Sequence, residues 1–271
     1  LKEFSYQKFS KNEFYEKLNS RLVDMSNIEP GQHVVDLACG TGSVTQLILH
    51  RIRGAKESAV TAIDNSSTSL KQAMEELKDV TDAAIKFIQS HVEPLSELVK
   101  DSVDAIFFCN AIHYVSDKNS FFIEVSKTLK DGGEFVFNTS FFDGGQPPET
   151  LGFYRKWMLK SRRLLRNKYG LSVVKDNSKV ESRNHLNPEA YRNLLELHNL
   201  RVVKQKIDEV AVPVEGWEDI SQFEDFISGT MPGVPLDKAS DVLQQTVREI
   251  YDEMGIKFLS RNWLEVVAVK I

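Results

Sequence analysis

The stretch that decides the fold reads Val34-Val35-Asp36-Leu37-Ala38-Cys39-Gly40-Thr41-Gly42-Ser43-Val44-Thr45. It begins as a short apolar run that contains one acid, continues as a loop of small residues, and ends in apolar residues at helical spacing. This order predicts a strand, a tight turn and a helix, with an adenosine-type ligand over the turn. Glycine at positions 40 and 42 lets the backbone turn sharply and leaves no side chain between backbone and ligand.

The loop departs from the dinucleotide-binding fingerprint, which requires glycine or alanine where this chain has Thr45. Its pattern, acid-x-Ala-x-Gly-x-Gly, instead resembles the first motif of the class I S-adenosylmethionine-dependent methyltransferases. Ala38 stands where that family usually has its first glycine. S-adenosylmethionine is a cation without phosphates, and a carboxylate such as Asp36 at the end of the strand suits such a ligand. A tight turn in any α/β protein is the alternative interpretation.

Strand and helix signals alternate over residues 31–145, which predicts an α/β protein with a doubly wound parallel sheet. Apolar runs predict strands at 33–37, 59–63, 85–88, 103–109 and 134–139. Helical spacing or capping residues predict helices at 12–25, 44–53, 66–79 and 116–130.

The alternation ends near the glycine- and proline-rich stretch 144–148. Beyond it we predict helices at 151–168, 188–198, 217–227 and 236–254, and strands at 201–212 and 258–269. The resemblance implies a seven-stranded, mostly parallel, Rossmann-like methyltransferase sheet, with the last strand antiparallel between strands five and six. It also implies a division into an N-terminal helical lid (1–30), a cofactor-binding core (31–145), a helical cap insertion over the substrate (146–187 and 213–256) and the remainder of the core sheet (188–212 and 257–271).

Further cofactor contacts follow from the same resemblance. Asp64 ends the second strand, where the family places an acid that binds the ribose hydroxyls, although an acid here could merely cap the next helix. After strand three the family often shows Gly-Asp-Ala-Glu, whose Asp meets adenine, but this chain has Ser90-His91-Val92-Glu93. A neutral imidazole at His91 can still accept that hydrogen bond. The cofactor-binding residues implied are Asp36, Ala38, Gly40, Gly42, Asp64, Asn65, His91, Val92 and Asn110.

The acceptor side is expected at the end of strand four, where residues 109–114 read Cys-Asn-Ala-Ile-His-Tyr. They lack the Asn-Pro-Pro-Tyr pattern of enzymes that methylate amino groups of adenine or glutamine. His113 is the candidate catalytic residue, as a general base or as a group that orients the acceptor. The alternative is a histidine that only packs or caps a helix. His185 is a second, weaker candidate.

The substrate is predicted from the composition of the second half. Its aromatic residues favour an apolar pocket, so a small lipophilic or aromatic acceptor in biosynthesis is expected. The predicted helix 155–168 carries seven Lys and Arg residues. It is interpreted either as a docking face for an acidic carrier protein or an anionic substrate tail, or as a solvated helix face. We find no cluster of acids and amides that resembles the metal site of catechol-type methyltransferases, and predict no metal.

Composition agrees with a globular enzyme. The chain has 271 residues, 41% hydrophobic and 27% charged, with a net charge of −5 that weakly disfavours a nucleic-acid partner. No apolar run approaches the roughly 20 residues that span a bilayer. The two cysteines, Cys39 and Cys109, are expected to be reduced thiols, which suggests a cytoplasmic location.

The sequence therefore predicts S-adenosylmethionine-dependent methyl transfer to a small acceptor. An NAD-dependent oxidoreductase on a Rossmann sheet and a cofactor-binding protein without transfer activity are the alternatives. The acceptor atom and the oligomeric state are left open.

Overall fold

The computed structural model describes residues 4–81, 83–92, 94–174 and 185–271. One seven-stranded sheet runs through the described chain, in the order β3-β2-β1-β4-β5-β7-β6. Its strands are β1 His33–Leu37, β2 Ala59–Asp64, β3 Ala84–Gln89, β4 Val103–Cys109, β5 Leu129–Thr139, β6 Leu200–Pro213 and β7 Phe258–Lys270. All neighbouring strands are parallel except that β7 is antiparallel to both β5 and β6. The predicted α/β fold with its reversed last strand is confirmed.

Eleven helices accompany the sheet in the part of the chain that the structure describes. They are α1 Gln7–Ser10, α2 Glu13–Met25, α3 Ser43–Ile52, α4 Ser67–Glu76, α5 Leu95–Leu98, α6 Lys118–Thr128, α7 Leu151–Tyr169, α8 Pro188–Leu197, α9 Val214–Ile220, α10 Glu224–Thr230 and α11 Leu236–Met254. None of the described helices is long and apolar enough to cross a membrane.

The two faces of the sheet are covered by different helices. Successive side chains of a strand point to opposite faces, and Phe107 and Phe108 of β4 accordingly enter separate apolar clusters. Phe108 packs with residues of α6 and α8, whereas Phe107 packs with residues of α2 and α3. The central strands are therefore buried on both sides, as expected for parallel strands.

A third apolar cluster lies at the edge of the sheet where the parallel strands end. It joins α1, α2, α7, α9, α10 and α11 with the end of β6 and the start of β7. Trp157 of α7 is central, because its indole N–H donates to the Leu243 carbonyl of α11 at 3.0 Å and its ring lies 5.7 Å from that of Trp217. The helices of residues 146–174 and 213–256 thus form a packed unit. Their role as a cap over a substrate, and that of residues 1–30 as a lid, stay predictions.

The main correction to the predicted elements concerns residues 217–227, which do not form one helix. The chain forms α9 and α10 instead, separated by Phe223 in an extended conformation. The break serves tertiary contacts, since Phe223 packs its ring 5.0 Å from Tyr6 and the N–H of Glu224 donates to the Phe4 carbonyl. Strand β5 also begins five residues earlier than predicted, because its register shifts at a bulge against β4.

Candidate functional site

The loop after β1 adopts the left-handed backbone conformation repeatedly. Ala38, Gly40 and Gly42 have φ angles of 51°, 54° and 87°, a region that favours glycine over other residues. A Cβ at Gly42 would lie 3.1 Å from the Cβ of Ala73 in α4. A Cβ at Gly40 would meet nothing within 4 Å, so the backbone of this loop borders open space. The two glycines therefore serve different purposes, close packing at position 42 and an uncovered backbone at position 40.

Asp64, at the end of β2, ties the loop to the next helix. One carboxylate oxygen accepts the backbone N–H of Gly40 at 2.9 Å and the other accepts that of Ser66 at 2.8 Å. The side chain that caps α4 is Ser66, whose hydroxyl accepts the N–H of Ser69. Asp64 is thus not the helix cap that the sequence allowed. Each of its oxygens keeps a second acceptor position, which a ligand hydroxyl can fill.

Asp36 lies below the loop, 1% exposed, and accepts a 2.6 Å hydrogen bond from the Thr45 hydroxyl of α3. Burial raises the pKa of Asp36 to about 7, and the nearby charge of Asp64 adds to the rise, while the Thr45 hydrogen bond opposes it. A cation above the loop would reverse this shift, because an opposite charge stabilises the carboxylate.

The segment after β3 reaches the same edge. The N–H of Ser90 donates to the Asp64 carbonyl at 3.0 Å, and the Gln89 amide donates to the Asn65 carbonyl. His91 is exposed, whereas Val92 packs against the apolar cluster of β4 and α6. Glu93 lies outside the described residues. The structure thus brings Ser90 beside Asp64. The predicted adenine contact of His91 and Val92 stays a prediction.

Asn110 follows β4 with a φ of 48° and organises a polar network. Its backbone N–H donates to the Asn138 side chain at 2.8 Å, and its side-chain Oδ1 accepts the Ser140 N–H at 3.1 Å. Its amide donates to the Tyr6 hydroxyl at 3.2 Å. This bond anchors the N-terminal segment to the end of β4.

His113 lies in a single 3₁₀ turn after β4, with its ring stacked 4.1 Å from that of Phe141. Its Nδ1 atom is buried and has no hydrogen-bond partner among the described residues. Burial lowers the pKa of His113 to about 3, with smaller contributions from His185, Lys118 and Arg261. The imidazole is therefore neutral near pH 7 and a weak base. His185 is exposed, 6.2 Å from the Phe141 ring.

Known proteins share the fold of this chain, whose main features are its sheet order, its left-handed loop after β1 and its acid at the end of β2. Residues 28–190 match the model of a family described as methyltransferase domain. The chain belongs to this family. Its membership confirms the predicted class I methyltransferase resemblance and the predicted enzyme class.

Relatives of this methyltransferase domain match it over shorter stretches. A tRNA U34 carboxymethyltransferase of Colwellia psychrerythraea is 27% identical over 56% of this chain and 46% of its own length. A malonyl-[acyl-carrier protein] O-methyltransferase of Paenibacillus is 28% identical over 39% of this chain and 38% of its own length. The chain thus spans less than half the length of these relatives.

Solved structures agree in fold. The cyclopropane synthase MmaA2 of Mycobacterium tuberculosis has a TM-score of 0.58 at 12% identity, with 94% of this chain and 84% of that chain covered. A phosphoethanolamine N-methyltransferase of Haemonchus contortus, solved with S-adenosylhomocysteine, has a TM-score of 0.55 at 16% identity, with 98% and 56% covered. These likenesses support the Rossmann-like methyltransferase fold.

One residue that the sequence did not point to is Arg261 in β7, outside the matched residues 28–190. Its side chain is 8% exposed, donates to the Ser140 carbonyl at 2.7 Å and to the Tyr154 hydroxyl at 3.2 Å, and lies 5.4 Å from the centre of the Phe141 ring. Sequence reasoning missed it because the reversal of β7, rather than any local motif, brings it to this edge. Tyr6, Asn138 and Ser140 were missed because tertiary contacts with Asn110, rather than a local motif, bring them to the site.

Among the described residues, no group of three or more His, Cys, Asp or Glu side chains is arranged to hold a metal ion. Cys39 and Cys109 are free, and burial raises the pKa of both thiols. The basic residues of α7 are mostly exposed. Two of them form ion pairs with α11, Lys160 with Glu249 and Glu253, and Lys168 with Asp241.

Proposed function

We propose that this chain transfers a methyl group from S-adenosylmethionine to a small lipophilic or aromatic acceptor. The observation that carries the proposal is the loop after β1. Its Gly40 backbone borders open space and is held by the Asp64 carboxylate, which retains free acceptor positions. Membership of the methyltransferase-domain family supports the same activity.

The residues around the loop fit this cofactor. Asp64 can accept from both ribose hydroxyls with the lone pairs that Gly40 and Ser66 leave free. Asp36 is a buried carboxylate on the side of the loop that faces the sheet, and it favours a positive charge nearby. S-adenosylmethionine supplies a methyl group that its sulfonium already activates. The chain's own task is therefore to align the acceptor and to exclude water.

His113 fits an orienting role on the acceptor side better than that of a strong base. Its lowered pKa makes it a poor proton acceptor near neutrality, but the unpartnered Nδ1 can hydrogen-bond an acceptor group. An acceptor that needs little help with deprotonation, such as a phenol or a carboxylate, matches such a site.

A carrier-bound acceptor is a second candidate, favoured by helix α7. The exposed residues Arg155, Lys156, Arg162, Arg163 and Arg166 have no ion pair with another described residue. A row of uncompensated cations favours an acidic partner by complementarity. The malonyl-[acyl-carrier protein] methyltransferase among the relatives makes an acidic carrier protein the partner to test first. The predicted absence of a nucleic-acid acceptor stays a prediction.

Label transfer tests the proposal. The protein is incubated with methyl-labelled S-adenosylmethionine and a small-molecule extract, and organic-extractable label is counted against a Gly40→Val control, in which a side chain fills the open space. Label that appears only with the native chain supports transfer. Cofactor binding without any transferred label identifies a binding protein without transfer activity. Binding of NAD in place of S-adenosylmethionine supports the oxidoreductase alternative.

A further inference from the structure

Arg261 is a buried cation without an anionic partner among the described residues. Its hydrogen bonds go to a neutral carbonyl, that of Ser140, and a neutral hydroxyl, that of Tyr154. The flanking aromatic rings of Phe141 and Tyr154 stabilise it only partly, with the guanidinium carbon 5.4 and 5.7 Å from their centres. A buried charge without a counter-charge is costly. Its two bonds also leave several of the five guanidinium N–H donors unused.

The position of Arg261 connects it to the acceptor side of the proposed site. Leu264 of β7 pairs with Thr139, the last residue of β5. Arg261 precedes Leu264 by three positions and therefore extends past the edge where β4 and β5 end. The Ser140 carbonyl that binds Arg261 belongs to the residue whose N–H donates to Asn110.

Phe141 links Arg261 to His113, because its ring contacts both side chains. The His113 ring is stacked 4.1 Å away, and its buried Nδ1 has no described partner. Two polar groups with unused hydrogen-bonding capacity therefore contact the same aromatic ring.

Among the residues that the structure describes, more basic than acidic groups lie around this ring. The charge of Lys118 helps to lower the pKa of His113, and Lys118 donates to the Val115 carbonyl, another neutral group. His185 is itself shifted towards its neutral form, because partial desolvation and the charges of Arg261 and Lys118 lower its pKa. Two acids also lie near: the charge of Asp143 opposes the lowering of the His185 pKa, and the charge of Asp225 adds to the rise of the Tyr114 pKa. Neither acid forms an ion pair with Arg261 within the described residues.

We propose that Arg261 and His113 form a subsite for an oxyanion group, a carboxylate or a phosphate, carried by the acceptor. The guanidinium fork presents two parallel N–H donors that match such a group, and His113 adds a hydrogen bond from Nδ1. The inference rests on the proposed function and specifies its substrate class as anionic acceptors with an apolar or aromatic body.

The experiment compares matched probes on the native chain saturated with S-adenosylhomocysteine. Calorimetry measures the affinity of trans-cinnamate, of its neutral amide cinnamamide, and of phenyl phosphate. We expect at least one of the two oxyanions to bind about tenfold or more tightly than the amide, as is typical of hydrogen bonds to charged groups. Tighter binding of cinnamate would identify a carboxylate subsite, and tighter binding of phenyl phosphate would identify a phosphate subsite.

The variants are Arg261→Gln, Arg261→Lys and, as a matched control, Arg201→Gln on the exposed start of β6. Arg261→Gln should abolish the discrimination between oxyanion and amide, and Arg201→Gln should preserve it. Arg261→Lys keeps the positive charge but lacks the two parallel N–H donors of the guanidinium group. It should reduce the preference for oxyanions over the amide, and it replaces Arg261→Gln as the test if that variant does not fold.

Equal affinity for the oxyanions and the amide in the native chain would overturn the inference, as would discrimination that survives in Arg261→Gln. Failure of S-adenosylhomocysteine to bind the native chain would count against the proposed function itself. Saturation with S-adenosylhomocysteine in the absence of oxyanion discrimination would count against this subsite alone.

Discussion

The carboxylate of Asp64 accepts the backbone N–H of Gly40 at 2.9 Å. This single bond connects the end of β2 with the turn after β1, through two residues that are 24 positions apart along the chain. It holds the loop in place before a ligand binds, so that the ordering of the loop does not weaken binding. The proposed binding of S-adenosylmethionine depends on this preformed loop.

The two glycines of the loop should respond differently to alanine. Gly42→Ala places a Cβ 3.1 Å from Ala73 in a backbone region unfavourable to side chains. We expect it to lower the free energy of unfolding by about 2–4 kcal/mol. Gly40→Ala meets no neighbour, so only the backbone strain of about 1–2 kcal/mol applies. Denaturant titration measures both.

Cofactor affinity should separate the same two variants. At a temperature where both are folded, Gly40→Ala should weaken S-adenosylmethionine binding more than Gly42→Ala, because its new methyl group enters the open space. Equal affinities in the two variants would show that the ligand does not approach Gly40.

Ala38→Gly should restore the usual family motif without harm. Ala38 has a φ of 51°, so glycine relieves strain of about 1–2 kcal/mol but adds about 0.5–1 kcal/mol of unfolded-state entropy. The expected net change in stability is a gain of about 1 kcal/mol or less. Thermal unfolding of the native chain and the variant measures it, and a clear loss of stability would contradict the strain argument.

The stability of the unliganded protein should depend on pH through Asp36. Its pKa is about 7 in the folded chain and 3.8 as the reference value, so between these values the folded state binds more protons than the unfolded state. The contribution of Asp36 to stability therefore falls as the pH rises from 4 to 7, by up to about 1.4 kcal/mol per pH unit.

The variant Asp36→Asn removes this titration and serves as the comparison. Urea titrations of both proteins at several pH values should give a difference in unfolding free energy that declines with rising pH through this window. A difference that is constant from pH 4 to pH 7 would show that Asp36 is ionised throughout.

The exposed basic residues of α7 should increase activity on a carrier-bound acceptor but not on a free acceptor. Replacing Arg162, Arg163 and Arg166 together by Gln should leave the free energy of unfolding within about 0.5 kcal/mol, since these side chains are exposed. We expect kcat/KM for a carrier-bound acceptor to fall at low salt, and that for a free acceptor to stay unchanged.

The matched control for α7 is the triple Gln variant of Arg51, Arg53 and Lys56, three exposed bases near the end of α3, at the opposite edge of the sheet. An equal loss in both triple variants would indicate a general effect of net charge. Full activity of the α7 variant on a carrier-bound acceptor would remove the docking hypothesis.

Local sequence signals were sufficient to predict the strands and the main helices of the first half of the chain. The run Val34–Thr45 contains its own strand, turn and helix start. The hydrogen bond between Gly40 and Asp64 was not predicted, and the roles of both residues in cofactor binding stay predictions. The helices after β5 were predicted where helical spacing was clear, but the break at Phe223 depends on the ring of Tyr6, more than 200 residues away. Arg261 depends in the same way on the reversal of β7. Such contacts are set by tertiary packing, which no local pattern records.

The most direct test of the central claim is calorimetric titration of S-adenosylmethionine into the native chain, Asp64→Asn and, as a control, Asp101→Asn at the exposed opposite edge. The account predicts micromolar binding to the native chain and to the control. In Asp64→Asn, the loss of charged hydrogen bonds should weaken binding by about tenfold or more. Absence of binding to the native chain, or undiminished affinity in Asp64→Asn, would contradict the account.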